Sequence, residues 1–225
     1  MREFNIGYPH SKSKRVIKED SRSIKNKIIA WSLGEEYYDG QRENGYGGFK
    51  YDGRWATIMP GIIKEYRLNH NSTVLDFGCK KGFFLHDLKQ ALPGIKVKGV
   101  ENHSYPIEQA MESVKLNIEK APFTKLPFDD NEFELVLALG AVYTLNLGDA
   151  IQCLKEIQRV SKGKSFITLG SYTDEESFRL FRYWTLLGAT ILHQEEWVEV
   201  LKHVGYTGDY KFTGAKSLHL ISGKS

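Results

Sequence analysis

Val74-Leu75-Asp76-Phe77-Gly78-Cys79-Lys80-Lys81-Gly82-Phe83-Phe84-Leu85 is the stretch that decides the fold of this chain. Its first residues form a short apolar run that reads as a buried strand. Its last residues open a helix, with Phe84, Leu85, Leu88 and Leu92 at helical spacing and Pro93-Gly94 as the stop. Gly78 and Gly82 stand in the turn between them. Glycine admits positive φ and close backbone approach, so such a turn suits a ligand drawn against the chain.

Outward from this stretch the elements alternate. Lys96–Glu101 reads as a second strand, Pro106–Val114 as a helix, Asn117–Glu119 as a weak third strand and Glu134–Leu139 as a strongly apolar fourth. A helix follows over Gly148–Val160, with Ala150, Ile151, Leu154, Ile157 and Val160 on one face, then a fifth strand over Ser165–Leu169. Strands alternating with helices predict a parallel sheet with right-handed crossovers. Ser177–Leu187 and Gln194–Val204 read as helices, and Tyr210–Phe212 and Ser217–Ile221 as closing strands. Upstream, a helix is expected from Lys25 and another from Ala56 to Tyr66, with Pro60 in its first turn.

Ligands of open α/β sheets sit outside the carboxyl ends of the strands, beside turns like this one. Glu101 ends the neighbouring strand, where a carboxylate can accept hydrogen bonds from both hydroxyls of a ribose. A nicotinamide dinucleotide wants G-x-G-x-x-G, with glycine backbone and a helix N-terminus on its pyrophosphate. Here the order is Asp-x-Gly-x-Lys-x-Gly. The carboxylate of Asp76 just before the turn favours a cationic ligand over a diphosphate, and there is no G-x-x-x-x-G-K-[ST] phosphate loop.

Asp76-Phe77-Gly78-Cys79-Lys80-Lys81-Gly82 resembles the first motif, D/E-x-G-x-G-x-G, of the class I methyltransferases that use S-adenosylmethionine (SAM). Gly99-Val100-Glu101 resembles their second motif. Leu126-Pro127-Phe128-Asp129-Asp130-Asn131-Glu132-Phe133-Glu134-Leu135-Val136 is similar to the run introducing their fourth strand, and Glu156-Ile157-Gln158-Arg159-Val160 to the helix before their fifth. The resemblance covers roughly residues 70–172. It implies a Rossmann-like class I sheet, mostly parallel with an antiparallel C-terminal strand, flanked by helices and carrying an N-terminal cap extension. It implies SAM as cofactor, a sulfonium with no phosphate, which agrees with the charge of the turn. Residue by residue it implies that Asp76, Gly78, Cys79, Lys80 and Gly82 shape the turn against the amino-acid half of SAM. Glu101 would hold the ribose, Asn102 would lie beside the adenine, and Lys120 and Ala121 would bracket its edge. Leu139 and Gly140 would line the methionine portion. Lys80 departs from the pattern, standing where the family has its middle glycine. Its side chain turns either to solvent or onto the cofactor, where the ammonium would pair with a carboxylate.

Ahead of the domain, the run from Tyr37 to Trp55 is dense in glycine and aromatic residues. Its part Gly45–Trp55 resembles a segment found in a bacterial, methyltransferase type 11-like subgroup, as do Ser171-Tyr172 and Gly205-Tyr206-Thr207-Gly208-Asp209. Tyr46, Tyr51 and Arg54 are read as lid residues folded across the open end of the sheet, with Tyr143 and Tyr172 facing the acceptor. The alternative is that Tyr46, Phe49 and Trp55 simply pack the extension onto the domain, and the two are compatible. The candidates for a general base or acceptor contact are Tyr143, His103 and His193; a lone histidine is more often structural, so no base is assigned.

The 225 residues divide into a basic arm over 1–27, expected to be flexible, an aromatic and glycine-rich cap over 28–69, and the SAM domain over 70–225. At 41% hydrophobic the chain can bury a core, and a net charge of +3 is too small to mark a nucleic-acid binder. The arm is nonetheless locally basic, through Lys12, Lys14, Arg15, Lys18, Arg22, Lys25 and Lys27, and reads as a solvated arm, with a phosphate-contacting arm as the alternative. Two cysteines, Cys79 and Cys153, supply no metal pattern and suit a reduced compartment. No apolar run approaches a membrane span, so a cytoplasmic protein is expected, with no membrane partner, no metal and no nucleic acid. The expected activity is methyl transfer to an O or N of a small molecule, such as a sugar or a nucleotide-linked sugar. RNA or protein as acceptor, and a SAM-binding protein without transferase activity, are the alternatives. Oligomeric state, a dimer included, stays open.

Overall fold

The computed structural model describes residues 1–8, 13–19 and 21–223, so Lys12 of the basic arm lies outside the described residues. The strands are β1 (Arg2–Glu3), β2 (Arg15–Ile17), β3 (Thr73–Phe77), β4 (Lys96–Glu101), β5 (Ile118–Lys120), β6 (Leu135–Ala138), β7 (Ser165–Tyr172), β8 (Leu192–His193), β9 (Asp209–Thr213) and β10 (Leu220–Ser222). The helices are α1 (Ile24–Trp31), α2 (Glu35–Tyr38), α3 (Met59–Tyr66), α4 (Phe83–Ala91), α5 (Ser104–Glu108), α6 (Leu147–Val160), α7 (Glu175–Trp184) and α8 (Gln194–His203).

The central sheet runs β1-β9-β7-β6-β3-β4-β5, with β8 on β7. Successive residues of β3 and β6 feed opposite faces, as the two-residue period of a strand requires. Leu75, Phe77, Val136 and Ala138 pack towards α6 and α8. Val74, Leu135 and Leu137 pack towards α3 and α4. Helices on both faces explain why these strands are continuously apolar. Trp197 of α8 is wholly buried against the first face and donates its indole N–H to Gly170 O at 2.8 Å. Burying a side chain of that kind contributes roughly 2–3 kcal/mol.

Three expectations are corrected. The C-terminal strand is not antiparallel. β9 pairs β7 in parallel, because α8 acts as a crossover and returns the chain to the start of the sheet. β10 leaves this sheet and pairs β2, also in parallel. The helix expected over 106–114 stops at Glu108. Beyond it Met111 N donates to Lys81 O at 3.1 Å and Val114 packs against the Gly82 turn, so tertiary contacts override the local pattern. Finally, parts of the 1–27 stretch are docked. β1 adds to the edge of β9, Arg2 pairs with Asp209 and Glu65, and Ile6 is buried.

The cap residues lie over the carboxyl ends of β3, β4 and β6. Asp39 fastens them there: it accepts from Lys81 Nζ at 2.6 Å, from Tyr105 Oη at 2.7 Å and from Phe49 N at 3.1 Å. Tyr38, Tyr46, Phe49 and Phe83 form a run of ring contacts 4.3–5.8 Å between centroids. Gly45 has no room for a side chain, since a Cβ there would lie 1.8 Å from Tyr37 O.

Candidate functional site

The turn after β3 is built for close approach. Gly78 has φ of +74°, and a Cβ on it would meet Ala141 Cβ at 2.8 Å. Lys80 also has positive φ, +53°, which costs a non-glycine residue about 1–2 kcal/mol. Its contacts offset that cost. Lys80 N donates to Glu101 Oε2 at 3.0 Å, and Nζ donates to Gly78 O and Leu139 O, both at 3.2 Å. The side chain therefore points neither to solvent nor away from the turn. It folds inward and bridges the ends of β3 and β6.

Glu101 ends β4 at 3% exposure. Its other oxygen accepts from Asn102 N at 2.8 Å. Asn102 Oδ1 is buried beside it with no hydrogen-bond partner among the described residues. Asp76 is 4% exposed, and its carboxylate likewise takes no hydrogen bond among the described residues. Burial pushes Asp76 up to about 7; the Lys80 ammonium opposes the rise and the Glu101 carboxylate adds to it. Glu101 is raised by burial too, against Lys80 and its backbone donors. Burial acts to lower Lys80, but Tyr46, Tyr8, Glu101 and Asp76 outweigh it and hold the ammonium above the ordinary lysine range. Two buried carboxylates thus share one internal cation.

Between this floor and the cap lies a cavity of about 910 Å³, large enough for a drug-sized ligand and a smaller partner. Gly78, Lys80, Glu101, Asn102, Leu139 and Gly140 line its inner end. His103, Tyr143, Tyr46 and Arg54 line it as well. Thr168 Oγ1 fixes the Gly140 turn by accepting from Gly140 N at 2.7 Å.

Residues 74–164 match a family model described as a methyltransferase domain. The chain carries a class I methyltransferase domain. S-adenosylmethionine is the methyl donor of that class. Over 147 residues the chain is 38% identical to cycloartenol-C-24-methyltransferase of Arabidopsis thaliana, covering 56% of this chain and 43% of that protein. Over 108 residues it is 30% identical to the malonyl-[acyl-carrier protein] O-methyltransferase of Legionella pneumophila, covering 46% and 38%. The match therefore spans less than half the length of these curated relatives. The solved YcgJ protein of Bacillus subtilis shares the fold, with a TM-score of 0.53 at 18% identity over 65% of this chain and 66% of that one.

Several predicted site residues of the methyltransferase domain sit elsewhere. The Cys79 side chain packs into the core against Gly99, where a Cβ would be 2.6 Å from its Sγ. Gly82 serves packing against Val114. Ala121 is in the core, and Lys120 Nζ donates to Ser104 Oγ at 2.6 Å, outside the cavity wall. Tyr51 is not a cavity residue: its hydroxyl donates to Asp87 Oδ1 at 2.5 Å and its ring meets Phe83 and His86. Tyr172 packs on Phe178 and His193, and His193 caps α8 by accepting from Glu195 N. Arg54 reaches the wall with its guanidinium already on Asp52, Nε to Oδ1 at 2.9 Å. Sequence reasoning missed Tyr8, Arg15, Arg22, Arg42, Trp184 and Lys211 as wall residues. They come from segments far apart in the chain, the N-terminal stretch, the loop after α2, the end of α7 and β9, and only the fold brings them to one wall.

Proposed function

We propose that this protein transfers a methyl group from SAM to an oxygen or nitrogen of a small molecule held in the cavity under the cap. One observation carries the reading. Glu101, buried and steadied by two backbone N–H groups, lies beside the partnerless Asn102 Oδ1 on the wall of a ligand-sized cavity. Buried acceptors of this kind call for donors, and the ribose hydroxyls and adenine amine of SAM supply them. Asp76 is not itself a wall residue: it is buried beside the Glu101 end, with the Lys80 ammonium as its counter-charge.

When bound, SAM supplies a methyl group already activated for in-line displacement. The chain's own residues then have three tasks. Glu101 and Asn102 bind and orient the nucleoside half. The stacked cap of Tyr38, Tyr46 and Phe49 excludes water above it. Tyr143, whose hydroxyl burial holds above the ordinary tyrosine range, stays protonated and donates a hydrogen bond rather than removing a proton. His103 is lowered by burial and by Lys120, so its imidazole is neutral near pH 7 and is the wall residue best suited to accept a proton from a hydroxyl acceptor. A sugar or nucleotide-linked sugar is the acceptor class proposed. Incubation with methyl-labelled SAM and a panel of hydroxyl and amine acceptors tests this. Label transfer is expected, and binding of SAM with no transfer across a broad panel would overturn it.

A further inference from the structure

The walls of the cavity are unbalanced in charge. Arg15, Arg22, Arg42, Lys50, Arg54, Lys80 and Lys211 line it, and Glu101, at the inner end, is the one carboxylate among the described lining residues. Lys80 is occupied by Gly78 O and Leu139 O, and Arg54 by Asp52. Arg15, Arg22 and Arg42 have no carboxylate partner among the described residues. They come from three segments: the start of β2, the turn before α1 and the glycine-rich loop after α2.

These three share one end of the cavity with Trp184, the last residue of α7. The guanidinium carbons of Arg15 and Arg22 lie 5.8 and 6.0 Å from the centroid of that one indole ring. Arg42 spends one N–H on Gly45 O and keeps the rest of its fork. Arg15 and Arg22 are half-buried. Burial, and after it the charge of Arg42, pulls the ionisation of both down, Arg22 to about 10. They stay charged at neutral pH, so the fold gathers like charges with no internal counter-ion among the described residues. Such an arrangement destabilises the free protein and is relieved by an anion, for which a guanidinium fork offers bidentate donors.

We propose that this end of the cavity is the acceptor seat, and that the acceptor is an anion bearing a phosphate or carboxylate group, bound by Arg15, Arg22 and Arg42 with a ring or apolar portion against Trp184. The proposal rests on the reading of the Glu101 end as the cofactor site.

Titration calorimetry on the full chain, with and without S-adenosylhomocysteine, tests it with phenyl phosphate, benzoate and benzyl alcohol. At least one anion is expected to bind ten-fold or more tightly than the neutral alcohol. Preference for phenyl phosphate assigns a phosphate seat, and preference for benzoate a carboxylate seat. Arg15→Gln with Arg22→Gln is expected to remove that preference while leaving affinity for S-adenosylhomocysteine unchanged. Because the change relieves repulsion, the double variant is expected to melt no lower than the parent in the absence of an anion. Arg22→Lys, which keeps the charge and loses the fork, is expected to bind between the two. Binding of S-adenosylhomocysteine with no preference for anions would overturn the seat, as would a double variant that binds the anion as the parent does. Tighter binding of a single-stranded RNA oligomer than of either small anion would overturn it too. Anion binding without any S-adenosylhomocysteine binding would overturn the cofactor reading and leave the anion seat in place.

Discussion

Lys80 Nζ donates to Leu139 O across 3.2 Å, so a side chain from the turn after β3 is anchored at the end of β6. With Gly78 O at the same distance, the ammonium sits between two carbonyls in Coulombic reach of Asp76 and Glu101. Two buried carboxylates are compensated by this one charge. Lys80→Met keeps the length and removes the charge. The variant is expected to melt several degrees lower at pH 8 without ligand, since it leaves buried carboxylates unpaired. Saturating SAM, itself a cation, is expected to raise its melting temperature by more than it raises that of the parent. Equal melting temperatures for parent and variant would show that the lysine compensates nothing.

Asp76 gives a pH signature whose sign is fixed. Its folded-state value, about 7, lies above the ordinary 3.8. The folded chain therefore holds this proton more tightly than the unfolded chain does. The stability it contributes is complete below about pH 4 and is lost as pH rises through 7. Asp76→Asn is expected to flatten that part of the stability curve, raise the melting temperature at pH 8 and weaken SAM binding. Thermal melts from pH 4 to 8 read the first two effects. A variant with the parent's slope would contradict the assignment.

The cap is held to the turn by the Asp39–Lys81 ion pair at 2.6 Å, with Lys81 only 8% exposed in its side chain. Asp39→Ala would leave that ammonium buried and unpaired, a loss of roughly 3 kcal/mol or more. In a domain of this size that lowers the melting temperature by about 6–12 °C. Limited proteolysis is expected to cut first between Gly40 and Trp55. Unchanged melting and cleavage would mean that the aromatic contacts alone hold the cap.

The sheet was legible from the sequence because parallel strands buried on both faces are nearly pure apolar runs. β4 and the start of β7 fall where Lys96–Glu101 and Ser165 predicted them. Glu101 was legible for a related reason: its place at the end of the second parallel strand is fixed by spacing from the glycine turn. The direction of β9 was not legible, because five residues carry no information on which way they enter a sheet. The course of Lys80 was not legible either, since its partners are backbone carbonyls 2 and 59 positions away. Arg15 and Arg22 read as part of a basic arm, solvated or phosphate-contacting, whose place at the cavity depends on the docking of that arm, with Arg15 in the β2–β10 pair.

Tyr51 and Tyr46 separate packing from function within one loop. Tyr51 holds Asp87, which is 2% exposed and whose second oxygen has no partner among the described residues. Tyr51→Phe is expected to lower the melting temperature by a few degrees and leave kcat/KM for methyl transfer unchanged. Tyr46 lines the cavity, and Tyr46→Ala is expected to lower kcat/KM by more than its loss of stability explains. Steady-state kinetics beside thermal melts distinguish them, and matched kinetic losses in the two variants would contradict the division.

The central claim is that the carboxylate at the end of β4 holds the nucleoside of SAM. Isothermal titration of S-adenosylhomocysteine into the parent and Glu101→Gln measures this directly. The variant is expected to fold, to keep the shape of the side chain and to bind at least ten-fold more weakly. Equal affinity in the two proteins would contradict the account.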